Sequence, residues 1–493
     1  MKITTALFLL LILSFNRLAQ APQIEGSQFI RIQGPATALM HVRVIDGTGA
    51  APLEDQTIMI SNGKIQSIEP SVSAKVRNAE VVDLNGYTVL PGLVGMHDHM
   101  FFPMGGNPPM YSNMGTSFPR LYLALGVTTI RTTGSVAPYS DLEIKRLIDS
   151  HRIIGPKMHI TAPYLEGEGA FTPVMHQLKD AAEARRMVNF WADQGATSFK
   201  TYMNITRDEL RAVVEEAHKR GMKVTGHLCS IGYREAAEIG IDNLEHGLLP
   251  DSEFVPNKQP DKCPAAAVGA SLRQLDINSD AVKETIRVLV ARHVAITSTL
   301  PVFEASAPLA TLPPSQGGGA VGVISPTAIG APSAVLNPRV LNVMNTDARV
   351  RYLTARARIP ADSPAALLVR KSMDFERAFV AAGGLLIAGL DPTGNGGVVA
   401  GFGDLREVEL LVEAGFTPVE AIKIATLNGA KFLGEDRSIG SIAVGKQADL
   451  MIVKGNPAAK ISDIENVEIV FLDGVGYDSE KLIQSVQGLV GVR

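Results

Sequence analysis

This 493-residue chain has little cysteine, tryptophan or charge: two cysteines, one tryptophan, and 19% Asp, Glu, Lys and Arg. Two cysteines exclude a small disulfide-framework protein and a cysteine-rich metal cluster. The net charge of −4, with both signs interspersed, leaves no basic footprint, so no nucleic-acid partner is expected. No internal repeat of roughly 20–50 residues is present, which excludes a solenoid or propeller. Long apolar runs are lacking beyond the N-terminus. There, Lys2 precedes Ala6–Phe15, a run too short for a comfortable membrane span, and Ala19-Gln20-Ala21 offers small residues for cleavage. Residues 1–21 therefore read as an export signal. The mature protein is expected to be periplasmic or secreted, with no stable membrane span.

What the chain does have is His97-Asp98-His99, closing the apolar run Val89–Met96. Two histidines two apart on a strand share a face, so both rings can reach one cation, while Asp98 points the other way. Four later residues stand in the same position, each at the end of a short apolar run: Lys200, His227, His246 and Asp391. Singly, each has an ordinary reading as a loop-bonded histidine, a paired lysine or a helix-capping aspartate. Together and in this order they match a barrel, whose functional groups gather at the C-terminal ends of its strands.

Eight candidate strands carry that reading: Leu93–His97, Val127–Thr132, Lys157–Ala162, Thr197–Lys200, Lys223–His227, Asn243–His246, Val294–Ser298 and Leu385–Asp391. Helical patterns at Arg207–Arg220 and Tyr233–Glu238 separate several of them, with Gly221 and Gly240 where a helix would stop. Alternating strands and helices predict a parallel sheet covered on both faces, here an α/β (β/α)8 TIM barrel. The flanks differ. Met40–Asp46, Gln56–Ser61, Lys64–Ile68 and Glu80–Leu84 are strand-like, and Asn62-Gly63 and Asn85-Gly86 are hairpin signals. Gly440–Val453 and Glu468–Leu472 read the same way. The expected organisation is thus a barrel over 91–433 inserted into a small composite β-sandwich built from 22–90 and 434–493.

With these segments in place the chain resembles the amidohydrolase superfamily, near its Xaa-Pro dipeptidase and imidazolonepropionase branch. The motifs that carry the resemblance are LPGLVGMHDH (90–99), GVTTIRTTG (126–134), GATSFK (195–200), AHKRGMKVTGHL (217–228), GIDNLEHG (240–247), AGLDPTG (388–394) and GSIAVGKQADLMIV (440–453). The resemblance covers about residues 38–475. The resemblance implies that His97, His99 and Asp391 hold a first divalent metal. A second would be held by His227 and His246, with Lys200, carboxylated by CO2, as the anionic bridge. Imidazole and carboxylate ligands suit zinc. Two such ions lower the pKa of a shared water and polarise a carbonyl. The expected activity is hydrolysis of a C–N bond in a small amide or peptide-like substrate, with Asp391 moving the proton. A lactonase or cyclic-amide hydrolase on the same site, and a non-catalytic binding protein that kept the fold, are the alternatives.

One departure narrows the branch. Mononuclear deaminases of this type usually carry a glutamate three residues after the histidine that corresponds to His227, and here that place is Ser230. Substrate contacts are assigned to Tyr202, His176 and Arg131. Tyr202 reads equally as a buried aromatic, His176 as a solvated loop residue, and Arg131 either as a carboxylate clamp or as the partner of a barrel acid. Phe101 and Phe102 are candidate walls of an apolar pocket. Ala305–Ala334, rich in Pro, Gly, Ala and Ser, predicts a long loop over the mouth or at an oligomer contact, and a homo-oligomer is expected. Cys229 and Cys263 fall in adjacent barrel loops and read either as a disulfide or as two buried thiols.

Overall fold

The computed structural model describes residues 26–104, 109–308 and 338–492. The N-terminal export signal and most of the Pro- and Gly-rich segment lie outside the described residues.

The chain begins with strands β1 (Ile30–Ile32), β2 (Ala36–Val44), β3 (Leu53–Ser61), β4 (Lys64–Pro70), β5 (Glu80–Asp83) and β6 (Tyr87–Pro91). β3 and β4 form the hairpin that Asn62-Gly63 predicts, both turn residues having positive φ (51° and 72°). Asn85-Gly86 makes no hairpin. β5 and β6 instead both run parallel to β2, β5 against Thr37–Met40 and β6 against Arg43–Val44, so the turn carries the chain onward along β2.

Next come β7 (Leu93–Gly95), the hairpin β8 (Phe101–Pro103) and β9 (Tyr111–Asn113), then β10 (Val127–Arg131) and β11 (Lys157–His159). β12 (Leu165–Glu166) and β13 (His176–Gln177) are two short parallel strands within a stretch that reads as loop from the sequence. β14 (Ser198–Thr201), β15 (Lys223–Gly226), β16 (Asn243–Glu245), β17 (Ala295–Ser298) and β18 (Leu386–Ala388) follow. Helices alternate with these strands. Arg207–Lys219 is closed at its start by a reciprocal Thr206–Glu209 capping box and buries Leu210, Val213, Val214 and Ala217 at helical spacing.

The fold is mixed α/β. β11, β10 and β7 make one parallel sheet, and β13, β12, β14, β15, β16, β17 and β18 make another. Hydrogen bonds join the two sheets at both seams. Ala162 N donates to Ser198 O (2.9 Å) on one side; on the other, Met96 N donates to Ala388 O (2.8 Å) and Asp391 N to His97 O (2.9 Å).

β19 (Leu450–Lys454), β20 (Val467–Leu472) and β21 (Val475–Asp478) close the chain. β19 pairs antiparallel with β6, Met451 opposite Leu90, so strands from both ends join one nine-stranded sheet. That sheet has its own apolar cluster, in which Leu39, Val42, Ile58 and Ile60 from one end meet Ile452, Ile469 and Phe471 from the other. Burying each such side chain contributes about 2 kcal/mol.

Candidate metal centre

β16 and β18 end earlier than the sequence predicts, and the reason lies in the site. Pairing stops at Glu245 and Ala388, and the residues that follow leave the extended conformation: His246 has φ 72° and Asp391 φ 51°. Positive φ is uncommon for residues with a Cβ and concentrates at functional sites. Strand alternation alone would send Glu245 and His246 to opposite faces. The left-handed backbone at His246 lets both face the interior.

Six of the expected residues converge there. One ligand atom from each of His97, His99 and Asp391 lies within 4.8 Å of the others, and all three residues are buried. His99 Nε2 is 3.4 Å from Asp391 Oδ1, and His97 Nε2 is 3.8 Å from Oδ2. Lys200 Nζ is 3.4 Å from His97 Nε2. The His246 ring lies 4.5 Å from that of His97, and the His227 ring 4.5 Å from that of His246.

The outer ring nitrogens are engaged. His97 Nδ1 meets Glu245 Oε2 at 2.7 Å, His99 Nδ1 meets the Gly134 carbonyl at 3.1 Å, and His246 Nδ1 meets Thr299 Oγ1 at 2.8 Å. Outer partners of this kind fix which nitrogen of a ligating histidine faces the metal. They leave the Nε2 atoms free to face inward. Asp391 Oδ1 is buried and has no hydrogen-bond donor. An unmatched buried carboxylate oxygen among three imidazoles fits a cation, so these residues form a candidate metal site.

Burial, ahead of the neighbouring charges, pushes all four histidines below the usual imidazole range, His227 to about 3. They are therefore in the neutral form that ligates metal. Burial also lowers the Lys200 ammonium, to about 8. Burial alone would raise Asp391, but the histidines and Lys200 outweigh it and hold the carboxyl below its ordinary range.

The remaining sequence assignments divide. Tyr202 is at the site, its ring 4.6 Å from that of His227. His176 is not part of the cluster; it faces Glu183 at 3.3 Å. Arg131 is buried and donates to Met96 O, Asn243 Oδ1 and Glu245 Oε1, each at 2.8 Å. Those bonds make it the partner of the buried acid Glu245 rather than a clamp for substrate. Asp98 turns outward as the alternation requires. Its carboxylate fills the space beside Gly95, where a Cβ would come within 2.0 Å of Oδ2. Ser230 donates to the Ile205 carbonyl, so its hydroxyl is already engaged. Cys229 and Cys263 form a disulfide, which ties the segment after His227 to the loop after His246.

Sequence reasoning missed Glu245, Tyr164, Tyr111 and Phe303. Glu245 was legible in principle, because Asn243 and Glu245 share the strand face toward Arg131. Tyr111 opens the three-residue β9, Phe303 lies in the short helix Leu300–Glu304 and Tyr164 in the segment after β11, all too short for periodicity to mark a side chain's direction.

Comparison with known proteins shows the family and the fold. The profile of the amidohydrolase family matches residues 88–475. A dihydroorotase from Bacillus cytotoxicus is 35% identical over 109 residues, 22% of this chain and 24% of that enzyme, so the match spans about a quarter of the relative's length. Among solved structures, a prolidase from Bifidobacterium longum superposes with a TM-score of 0.63 at 24% identity, over 92% of this chain and 98% of that one. A Xaa-Pro dipeptidase with bound methionine gives 0.64 at 21% identity, over 90% and 100%. At these identities the superpositions speak for the fold, and the profile match across most of the sequence decides the family: the chain belongs to the amidohydrolase family.

Proposed function

We propose that this chain is a metal-dependent hydrolase that cleaves a C–N bond in a small amide or peptide-like substrate. The observation that carries this reading is the convergence of His97, His99 and Asp391 around one point, with Lys200, His227 and His246 beside them. The reading places the site at the mouth of a closed (β/α)8 barrel, which the hydrogen bonds at both sheet seams support. The nine-stranded sheet would fold over its own apolar cluster as a sandwich.

His97, His99 and Asp391 would hold one divalent ion, and His227 and His246 a second. Lys200 would bridge them as its carbamate, an anion that an ammonium could not replace. Two zinc ions so held would acidify a water and polarise the scissile carbonyl. The protein groups do the rest. Asp391, with one free oxygen, takes the proton of the attacking water and returns it to the leaving nitrogen, so that amide and water become acid and amine. Tyr202 orients the substrate carbonyl from beside His227. Glu245 and the Gly134 carbonyl keep the rings of His97 and His99 in place.

The reading includes export through the N-terminal signal, consistent with the Cys229–Cys263 disulfide. Among the described residues no helix is long and apolar enough to cross a membrane. The test is a screen of acyl amides and dipeptides against chelator-treated and zinc-reloaded protein. Hydrolysis lost on chelation and restored by zinc is the expected result. Hydrolysis indifferent to chelation, or no bound divalent ion after loading, would overturn the reading.

A further inference from the structure

Aromatic residues make up only 5% of the chain, yet they line one side of the candidate metal centre almost without a break. Phe101 stacks on His99, centroids 4.4 Å apart, and Tyr111 meets Phe101 edge-on at 5.1 Å. Tyr164 stands 6.3 Å from His99 and meets Tyr202 edge-on at 5.2 Å. Tyr202 continues to Phe171 at 6.0 Å. Across the site, Phe303 lies 5.7 Å from His246.

Exposure rises from the middle of this wall toward both of its ends. Phe101 and Tyr164 are buried, at 3% and 4%; Tyr111 and Tyr202 are half-buried; Phe171 is 47% exposed. Phe171 is one of several large apolar side chains open to water, and its contact with Tyr202 links it to the buried site. The rings belong to separate segments, following β7, β11, β14 and β17, so no single loop explains their alignment. Such a wall offers ring faces, ring edges and hydroxyls, and its five side chains carry no charge that would pair with an ionised substituent.

We infer that the wall from Phe171 through Tyr202 and Tyr164 to Phe101 and Tyr111 is a subsite for an uncharged aryl group, so that the substrate is an amide carrying an aromatic ring. This deepens the hydrolase reading and rests on it for the chemistry, though not for the binding. An aryl group can meet these rings edge-to-face, a contact worth a factor of about two to ten beyond its buried area. A saturated ring of the same size gains the burial alone.

The test is calorimetric titration of the full-length protein with N-benzylacetamide and with N-(cyclohexylmethyl)acetamide, which differ in aromaticity and not in heavy-atom count. The benzyl compound is expected to bind about tenfold more tightly. Phe171→Leu, a substitution at an exposed position, should shrink that ratio to about threefold. Equal binding of the two, tighter binding of the carboxylate analogue 4-(acetamidomethyl)benzoate, or a ratio unmoved by F171L would overturn the inference. Turnover is measured separately. Selective binding of the benzyl compound without hydrolysis of any amide would leave the aryl subsite standing and remove the hydrolase reading; equal binding with metal-dependent hydrolysis would do the reverse.

Discussion

His97 Nδ1 lies 2.7 Å from Glu245 Oε2, and both side chains are shut off from solvent. The other oxygen of Glu245 takes a hydrogen bond from Arg131, at 2.8 Å. One carboxylate thus orients a candidate metal ligand and neutralises the buried Arg131 guanidinium. Glu245→Gln keeps the shape and removes the charge. Arg131 would then face only neutral acceptors, among them Asn243 Oδ1 and Met96 O, and breaking one side of a buried pair costs about 3–5 kcal/mol. Metal affinity should also fall about 10–100-fold, as it does when an outer partner of a ligating histidine is lost. Urea unfolding and a metal-competition titration measure the two effects, and a variant unchanged in both would show that Glu245 has neither role.

Lys200 separates a bridging carbamate from an ordinary buried lysine. Lys200→Ala should lose one of about two bound ions and most of the activity. A short carboxylic acid added to the buffer should restore part of both by supplying the missing bridge. Elemental analysis with and without the acid is the measurement. Full metal content and activity in K200A would remove Lys200 from the site.

Asp391 is assigned the proton as well as a metal. Asp391→Asn retains an oxygen for the ion and cannot accept a proton. In protein shown to keep its metals, kcat should fall at least about a hundredfold, the usual scale for general-base loss, while substrate affinity changes much less. Near-normal turnover in metal-replete D391N would place the proton transfer on another group.

The disulfide can be read chemically. Labelling of denatured, unreduced protein should find no free thiol on Cys229 or Cys263, and two labelled thiols per chain would contradict the bond. The cysteines are 34 residues apart. Loop-closure entropy for that separation is worth about 4 kcal/mol, so the double serine variant should unfold at lower urea, with a loss of about 2–4 kcal/mol.

The sequence made the positions of the candidate ligands legible because each lies at the end of a short apolar run. His97, His99, Lys200, His227, His246 and Asp391 needed only that pattern and its order. The same rule extended the strands too far at Ala388 and Glu245, since the backbone turns left-handed at or soon after these points and periodicity carries no sign of it. Arg131 shows a different gap. A buried arginine reads as a substrate clamp or as an ion-pair partner until the facing Glu245 and Asn243 are located, and they are more than 100 residues away in the chain. Asn85-Gly86 failed as a hairpin signal because strand pairing is set by β2, which offers both neighbours a parallel edge.

The pairing of β6 with β19 has a consequence for how the polypeptide is born. Thr88–Pro91 leaves the ribosome roughly 360 residues before its partner Leu450–Val453. At about 5–20 residues per second, the β6 edge waits on the order of tens of seconds without that partner. An open strand edge is a template for the wrong neighbour. A ribosomal stall or a truncation before residue 450 is therefore expected to leave a product prone to aggregate.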